Sequence, residues 1–206
     1  MSKKRPSRPI ESVDKVRDIQ DYLKYKNYRN YVLFTLGITT GYRAGDLVKL
    51  KVRDIKEALR RKEFTIYEGK KMNSKNIREK NRKPRTVEVR PMLAKILKEY
   101  IKDKRDYEYV FQSRKGVNNH IGVKCVTDFL KEAAAYFSLY DITAHSMRKT
   151  YAYKIYVESN YDIIAVKELL GHRSIEETKL YLGLDREKYH RYSESLDDFL
   201  RWYLFF

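Results

Sequence analysis

Two segments decide the fold of this chain: A-H-S-M-R-K-T-Y (residues 144–151) and E-L-L-G-H-R-S-I-E-E-T-K-L-Y-L (residues 168–182). His145 and Arg148 stand three residues apart, so a helix places both side chains on one face, where they can reach one ligand. The arginine fork fits phosphate oxygens, and histidine exchanges protons near neutral pH. We therefore expect the two segments to close on one phosphate, although such a pair is also common on helix surfaces that bind nothing.

The second segment contains a turn between two helices. Gly171 is expected to end the first helix, and Ser174 with Glu177 forms an S-x-x-E capping box that begins the next one. His172 lies in this corner, and Tyr181 lies nine residues after it on the second turn of the capped helix. The pattern favours Tyr181 as a nucleophile. With 19 tyrosines in the chain, a packing role for Tyr181 is the competing interpretation.

The composition points to a polyanionic partner. The chain has 206 residues, 45 Lys and Arg against 28 Asp and Glu, a net charge of +17 and a hydrophobic fraction of 42%. The length and apolar content fit one globular domain with a sizeable core. The charge favours a nucleic acid, through neutralised phosphates and released counterions. A generic basic surface, as in ribosomal or chaperone-like proteins, is the alternative.

Cysteine and apolar content argue against a disulfide-stapled, a cysteine–metal or a membrane-spanning protein. Cys125 is the single cysteine, which excludes a disulfide framework and a cysteine-based metal site; we expect it to be a packing residue on a helix. No apolar run approaches the ~18 residues that a membrane span needs, and no apolar segment follows the basic N-terminus. The sequence predicts a cytoplasmic location without membrane contact.

Helical periodicity dominates the chain, with one strand pair in the first half. Alternating apolar residues predict strands at 63–68 and 85–90. Apolar spacing of three and four predicts helices at 12–24, 27–39, 91–101, 123–137 and through most of the chain after residue 143. The predicted fold class is mainly α with a small antiparallel β-sheet (α+β).

Three units are predicted along the chain. Residues 1–11 form a basic flexible N-terminal arm, and residues 12–186 form the main domain. Residues 187–206 form an amphipathic C-terminal helix and tail with one apolar stripe. The tail packs either on its own core or on a neighbouring subunit, as large apolar patches do.

Two further stretches can contribute charge to a phosphate site. In T-T-G-Y-R-A-G-D-L (residues 39–47), Arg43 opens a short helix behind a glycine turn. A buried arginine needs a partner, which a phosphate or Asp46 could supply. Residues 60–85 hold eleven lysines and arginines against three glutamates, a net charge of +8. Such a basic β-turn suits a DNA groove, and a solvated charge run is the alternative.

Taken in order, these motifs resemble those of the tyrosine recombinase (lambda-type phage integrase) family, over nearly the whole chain after residue 12. T-G-Y-R-A-G-D-L resembles the family's T-G-x-R-x-x-E-L box, and the hairpin matches the place of its catalytic lysine. A-H-S-M-R-K-T resembles the H-x-L-R-H-T box. L-L-G-H-R-S-I-E-E-T-K-L-Y resembles the L-G-H…T-x-x-Y box. The resemblance implies the fold of the family's catalytic domain, covering residues 12–186.

The resemblance also implies a role for each matching residue. Arg43 and Arg148 would grip the non-bridging oxygens of the scissile phosphate. His145 and His172 would hydrogen-bond the phosphate and exchange protons. Tyr181 would attack the phosphorus, giving a 3′-phosphotyrosyl link and a free 5′-hydroxyl. Because the bond energy is stored in this link, no nucleotide cofactor and no metal are expected.

The hairpin lysine that protonates the leaving oxygen is expected to be Lys70, because it directly follows the first strand and Gly69. Lys71 is the close alternative. Two positions depart from the family pattern: Asp46 stands where a glutamate is usual, and Lys149 replaces the second histidine of its box. The resemblance to the short fimbrial-switch invertases leads us to expect a catalytic domain without the N-terminal DNA-clamping domain that is common in the family. A shortened piece of a longer protein is the open alternative.

The predicted function is that of a site-specific DNA recombinase acting in integration, excision or inversion. The alternatives are DNA relaxation by a type IB topoisomerase-like enzyme and a catalytically inactive basic DNA-binding regulator. The implied partners are double-stranded DNA and further copies of the chain, as a dimer to tetramer on DNA. An accessory DNA-bending protein is compatible with the resemblance.

Overall fold

The computed structural model describes residues 6–66 and 85–184. In chain order the elements are α1 (Val13–Lys26), α2 (Tyr28–Thr40), α3 (Ala44–Leu47), α4 (Val52–Arg61), β1 (Glu63–Ile66), β2 (Arg85–Glu88), α5 (Pro91–Ile101), α6 (Val123–Tyr136), α7 (Ala144–Glu158), α8 (Ile163–Leu170) and α9 (Ile175–Leu182). The predicted class, mainly α with a small antiparallel sheet, is confirmed.

Helix α2 is the centre of the fold. It is apolar on most sides, as expected of a helix enclosed by others, and it packs against α1, α5 and α7. Gly37 allows α7 to come close, because a Cβ at this position would lie 2.6 Å from Met147 Sδ. Met147 lies between His145 and Arg148 in the sequence. The packing of α7 on α2 therefore fixes the position of the N-terminal half of α7.

The two strands form an antiparallel hairpin base in which Phe64 pairs with Val87. Phe64 is buried, and its carbonyl accepts a hydrogen bond of 3.1 Å from the hydroxyl of Tyr42. Because Tyr42 precedes Arg43, this bond fastens β1 beside the arginine. The strands are described as 63–66 and 85–88, within the predicted 63–68 and 85–90. Residues 67–84 lie outside the described residues.

A second, smaller apolar cluster lies at the C-terminal end of the described chain. Its buried members are Tyr151, Ala152, Val166, Leu170 and Leu182. They join the second half of α7 to α8 and α9, while the main cluster is built around α2. Helix α9, which carries Tyr181, is therefore connected to the main core through α7 and α8.

The described part of the predicted flexible arm lies against the core. Its backbone is irregular from Pro6 to Glu11, but Ile10 is only 3% exposed. The Ile10 N–H donates a hydrogen bond of 2.8 Å to Thr150 Oγ1 on α7. The end of the predicted arm is therefore held to α7 at Ile10.

Three other predictions concern Cys125, the C-terminal tail and membrane-spanning helices. The predicted packing of Cys125 is wrong, since the residue is exposed on α6. The tail, residues 187–206, lies outside the described residues. Among the helices in the two described ranges, none combines the length and apolar character needed to cross a membrane.

Candidate active site

Arg148 joins the ends of two helices to α7. The residue is 2% exposed, and its Nη1 donates to the Gly41 carbonyl at 2.9 Å while Nη2 donates to the Leu170 carbonyl at 2.8 Å. Gly41 follows α2 and Leu170 ends α8, so both acceptors are carbonyls of helix C-termini, which need donors from outside the helix. The side chain of Arg148 is thus buried, whereas that of His145 is exposed at the surface of the site.

The turn after α2 positions Arg43. Gly41 has φ +61°, the left-handed conformation expected of a glycine that ends a helix. A side chain at this position would also collide with Tyr151, whose Cδ1 would lie 2.3 Å from the added Cβ. Arg43 then serves as N-cap residue of α3, and its Nη1 is shielded from solvent. The glycine turn thus brings Arg43 back over α7.

His145 lies in the first turn of α7. Thr143 caps the helix, its Oγ1 accepting from the His145 N–H at 3.2 Å, while the Thr143 N–H donates to Ser146 Oγ at 3.0 Å. The N-terminus of a helix carries a partial positive charge and N–H groups that favour anions. An anion placed beside His145 would therefore be stabilised by the helix as well as by nearby side chains.

The surroundings of His145 disfavour its protonation. The side chain is exposed in part, but protein atoms crowd the remainder, and this loss of solvation is the largest cause that lowers its pKa from 6.5 to about 4. The charges of Lys149, Arg148 and Arg43 act in the same direction, with His172 adding to them. At neutral pH His145 is thus a neutral imidazole in a strongly cationic site.

The corner between α8 and α9 is held by backbone and side-chain caps. Gly171 has φ +63°, its N–H donates to the Glu168 carbonyl at 3.0 Å, and the His172 N–H donates to the Lys167 carbonyl at 3.0 Å. This pair of bonds is the Schellman motif. Ser174 Oγ accepts from the Glu177 N–H at 3.1 Å. The corner therefore holds the backbone of His172 in place.

The capping box predicted for α9 differs in one bond. The carboxylate of Glu177 accepts from the Arg173 N–H at 2.9 Å, one residue before the N-cap residue Ser174. The S-x-x-E pattern correctly located the start of the helix at Ile175. It could not show that the corner turns tightly enough for the glutamate to reach the preceding amide.

Tyr181 lies beside the two histidines that the sequence predicted around it. Its ring centroid is 5.1 Å from that of His145 and 5.0 Å from that of His172, both edge-to-face. Lys149 Nζ is 5.2 Å from the same centroid. The Tyr181 hydroxyl oxygen is shielded from solvent. Two imidazoles and a cation thus surround the phenol, an environment that can take up its proton and stabilise the phenolate.

The structure brings together five of the six predicted site residues. His145 and His172 contact Tyr181, and Arg43 and Arg148 lie close enough to lower the pKa of His145. Lys70, like its alternative Lys71, lies outside the described residues. Within residues 6–66 and 85–184, no group of three or more His, Cys, Asp or Glu side chains is arranged to hold a metal ion.

Two residues of the site were not predicted from the sequence. Lys149, which departs from the family motif, extends over the Tyr181 ring. Its spacing of four from His145 on α7 would have placed it on the same face. Thr178 bonds His172, with 3.0 Å between Nδ1 and Oγ1. Thr178 is the threonine of the L-G-H…T-x-x-Y box, and that position was the available signal.

The family model described as the phage integrase family matches residues 12–188. The chain is 31% identical over 158 residues to the probable integrase/recombinase YoeC of Bacillus subtilis (strain 168), covering 75% of this chain and 77% of YoeC. It is 29% identical over 163 residues to tyrosine recombinase XerC of Roseiflexus castenholzii (strain DSM 13941 / HLO8), covering 73% of this chain and 46% of XerC.

A solved structure with the same fold is the XerH site-specific recombinase bound to its difH substrate in a pre-cleavage complex. The match has a TM-score of 0.63 and 21% sequence identity, and it covers 94% of this chain and 55% of the XerH chain. The chain thus spans about half the length of XerC and of XerH, and roughly three quarters of YoeC. The predicted family and fold are confirmed.

Proposed function

Because this chain belongs to the phage integrase family, we propose that it is a site-specific DNA recombinase that cleaves and rejoins strands through a 3′-phosphotyrosyl intermediate on Tyr181. One observation carries the assignment of the nucleophile. Among the described tyrosines, Tyr181 is the one in ring contact with both His145 and His172. The same place in the fold gathers Arg43, Arg148 and the N-terminus of α7.

The proposed reaction needs charge compensation at the phosphate. The phenolic oxygen of Tyr181 attacks phosphorus, the bond to the 5′-oxygen breaks, and that oxygen leaves with a proton. Negative charge on the non-bridging oxygens grows in the transition state, and preorganised cations stabilise it. Arg43 and Arg148 supply these cations.

In the proposed proton transfers, one group accepts the proton of Tyr181 and another donates a proton to the leaving 5′-oxygen. A free tyrosine has a pKa near ~10 and is a weak nucleophile at neutral pH. His145, whose pKa is lowered to about 4, enters the reaction neutral and can accept a hydrogen bond or a proton. Lys70 is proposed to protonate the leaving 5′-oxygen, with Lys71 as the alternative.

Covalent trapping on a mixture of DNA sequences tests this function. The substrate is a library of nicked duplexes with a randomised core, in which the fragment beyond the cleavage point diffuses away and leaves the protein attached. The chain should form adducts that survive denaturation, and an added strand with a 5′-hydroxyl should release them by rejoining. Tyr181→Phe should bind the same duplexes and form no adduct.

The matched control is Tyr140→Phe, which removes the hydroxyl of an exposed tyrosine far along the chain from α9. It should form adducts at the wild-type rate. The proposal is wrong if wild-type protein forms no adduct on any member of the library, or if Tyr181→Phe forms adducts as wild type does.

Self-association on DNA is proposed for the second half of the reaction, in which two sites exchange strands. The apolar stripe predicted for residues 187–206 would dock on a neighbouring subunit. Deleting these residues should then impair the pairing of two sites while sparing binding to a single site. Unchanged pairing would favour a tail that packs on its own subunit.

A further inference from the structure

We propose that Thr178 is a positioning residue that fixes the tautomer of His172, holding a proton on Nδ1 and leaving Nε2 as the nitrogen that exchanges protons in the reaction. The catalytic meaning of this tautomer rests on the proposed function. The tautomer itself does not, because it follows from hydrogen bonds of the DNA-free protein.

The Thr178 hydroxyl has one hydrogen and two neighbours that could take it. Thr178 is 0% exposed, and its Oγ1 lies 3.0 Å from His172 Nδ1 and 3.2 Å from the Ser174 carbonyl. A carbonyl can only accept, and a hydroxyl has one hydrogen to donate. The hydroxyl therefore donates to Ser174 and accepts from His172. The nitrogen that donates to it, Nδ1, must carry a hydrogen.

The opposite tautomer would weaken this arrangement. If Nε2 carried the proton, Nδ1 could only accept, and the Thr178 hydroxyl would have to turn away from the Ser174 carbonyl to satisfy it. Since the hydroxyl is buried, water does not replace the missing bond, and an unmade buried hydrogen bond is costly. The buried hydroxyl and its carbonyl acceptor thus select the Nδ1–H form.

The local backbone makes the arrangement rigid. His172 is held by its N–H bond to the Lys167 carbonyl, and Thr178 lies in the first turn of α9 behind the capped Ser174. The backbone at both ends of the Nδ1–Oγ1 hydrogen bond is thus held by helix caps. A histidine whose second nitrogen is fixed in this way keeps both its ring orientation and its tautomer.

The tautomer of His172 matters chemically for Tyr181, because the centroids of the two rings are 5.0 Å apart. In the Nδ1–H form, neutral His172 has its basic lone pair on Nε2, which can accept a proton from a phenol or a water molecule. After protonation, Nε2–H can donate to a phosphate oxygen, while Nδ1–H keeps its bond to Thr178. In the opposite form, Nε2 could donate but could not act as a base.

Nitrogen NMR of the full chain tests the tautomer directly. The chain has four histidines, so the His172 signals can be assigned by their disappearance in His172→Gln. Above the pKa, the shifts should show Nδ1 protonated and Nε2 unprotonated. Thr178→Ser should keep this pattern, and Thr178→Val, which is nearly isosteric, should give a mixture of tautomers. A wild-type His172 in the Nε2–H form would overturn the proposal.

The functional arm compares the same variants in the covalent trapping assay as a function of pH. Thr178→Val should cleave at least about tenfold more slowly and with an altered pH profile, as expected when a catalytic histidine loses the group that fixes its tautomer, while DNA affinity stays unchanged. Thr178→Ser should restore the wild-type profile. A Thr178→Val variant with the wild-type profile, or one whose rate falls while its His172 tautomer is unaltered, would contradict the positioning role.

The two arms separate failure of this inference from failure of the proposed function. If wild-type protein forms no adduct and yet shows His172 in the Nδ1–H form, the recombinase assignment fails and the tautomer assignment stands. If wild-type protein forms adducts and His172 is in the Nε2–H form, the recombinase assignment stands and the tautomer assignment fails.

Discussion

At the scale of single residues, Arg148 is both part of the candidate site and part of the frame that holds the site together. Its guanidinium joins α7 to the C-terminal ends of α2 and α8 through the Gly41 and Leu170 carbonyls. Burial of this charge is tolerated because two carbonyl oxygens accept hydrogen bonds from it. A substitution here should therefore affect stability as well as catalysis.

We predict that Arg148→Ala lowers both the stability of the protein and its rate of DNA cleavage. Removing its donors from two buried carbonyls should lower the free energy of unfolding by about 3 kcal/mol, and the weaker transition-state stabilisation should cost a further ~3 kcal/mol or more in cleavage. Denaturant titration and the trapping assay measure the two effects. Arg173→Ala, which removes an arginine from the corner between α8 and α9, should leave both near wild type. Wild-type cleavage by Arg148→Ala would contradict a phosphate role for this residue.

The sign of the effect of His145 on the stability of the protein at different pH values can be predicted. Its pKa is about 4 in the folded protein against 6.5 ordinarily. Between these values the unfolded chain binds a proton that the folded chain does not, so His145 makes the protein less stable as pH falls from 6.5 towards 4. An NMR titration of the free protein should give a midpoint near the lower value.

The midpoint should rise when DNA is added, because a phosphate favours the imidazolium form. Lys149→Met should also raise it in the free protein, since one neighbouring cation is removed. A midpoint at the ordinary 6.5 in free wild-type protein would show that the site is better solvated than the structure indicates.

Sequence patterns located these residues but not their interactions. Spacing correctly placed His145, His172 and Tyr181 on helices and turns that converge. It could not show that Arg148 points inward, because the acceptors Gly41 and Leu170 belong to helices distant in sequence. Such interactions depend on how helices cross, and that information is not present in a local pattern.

At the scale of elements, the helix that carries Tyr181 packs on a small core. Helices α8 and α9 have eight residues each, too short to be stable alone, and their buried side chains belong to the C-terminal cluster rather than to the cluster around α2. Segments that bury little apolar surface open at lower free energy than the core. Caps should therefore contribute a large share of the stability of α9.

We predict that Ser174→Ala selectively loosens α9. Ser174 Oγ accepts from the Glu177 N–H, and removal of an N-cap costs about 1 kcal/mol, which corresponds to roughly fivefold faster amide exchange. Hydrogen exchange should increase in α9 and stay unchanged in α2. The control is Ser12→Ala, which removes the corresponding cap of α1. Equal acceleration in α2 and α9 would indicate that the two clusters unfold as one unit.

Most helix ends and both strands could be predicted from the sequence. Caps and turns at Ser12, Asn27, Gly41, Pro91 and Gly171 all fall at helix ends that the sequence had indicated. The strands were located from their alternating apolar residues, whereas helix α4 was not among the predicted helices. Composition gave no indication that Ile10, near the end of the predicted arm, is buried.

At the scale of the whole molecule, charge is the dominant property. A net charge of +17 should attract DNA over a range set by the Debye length, about 8 Å at physiological salt. The stretch from residue 60 to 85 holds +8 of this charge. Affinity for DNA should accordingly fall steeply with salt.

We predict that Lys75→Gln together with Arg78→Gln lowers both the affinity and its salt dependence. Each phosphate that is no longer neutralised should reduce the slope of log K against log salt by about 0.9. Lys24→Gln with Lys26→Gln is the control of equal charge. These lysines lie in the last turn of α1, beside the start of α2. Gly41 follows the other end of α2, and the 13 residues of this helix separate the lysines from Gly41 by about 20 Å. Equal slopes for the two double variants would indicate that the hairpin connection does not bind phosphates.

The assignment of Tyr181 as the nucleophile has one direct test. Trypsin should release residues 180–186 after cleavage at Lys179 and Arg186, and Tyr181 is the single tyrosine in that peptide. After covalent trapping and nuclease digestion, mass spectrometry should find this peptide heavier by the remaining nucleotide. An unmodified 180–186 peptide, with the nucleotide attached to a peptide elsewhere in the chain, would contradict the assignment.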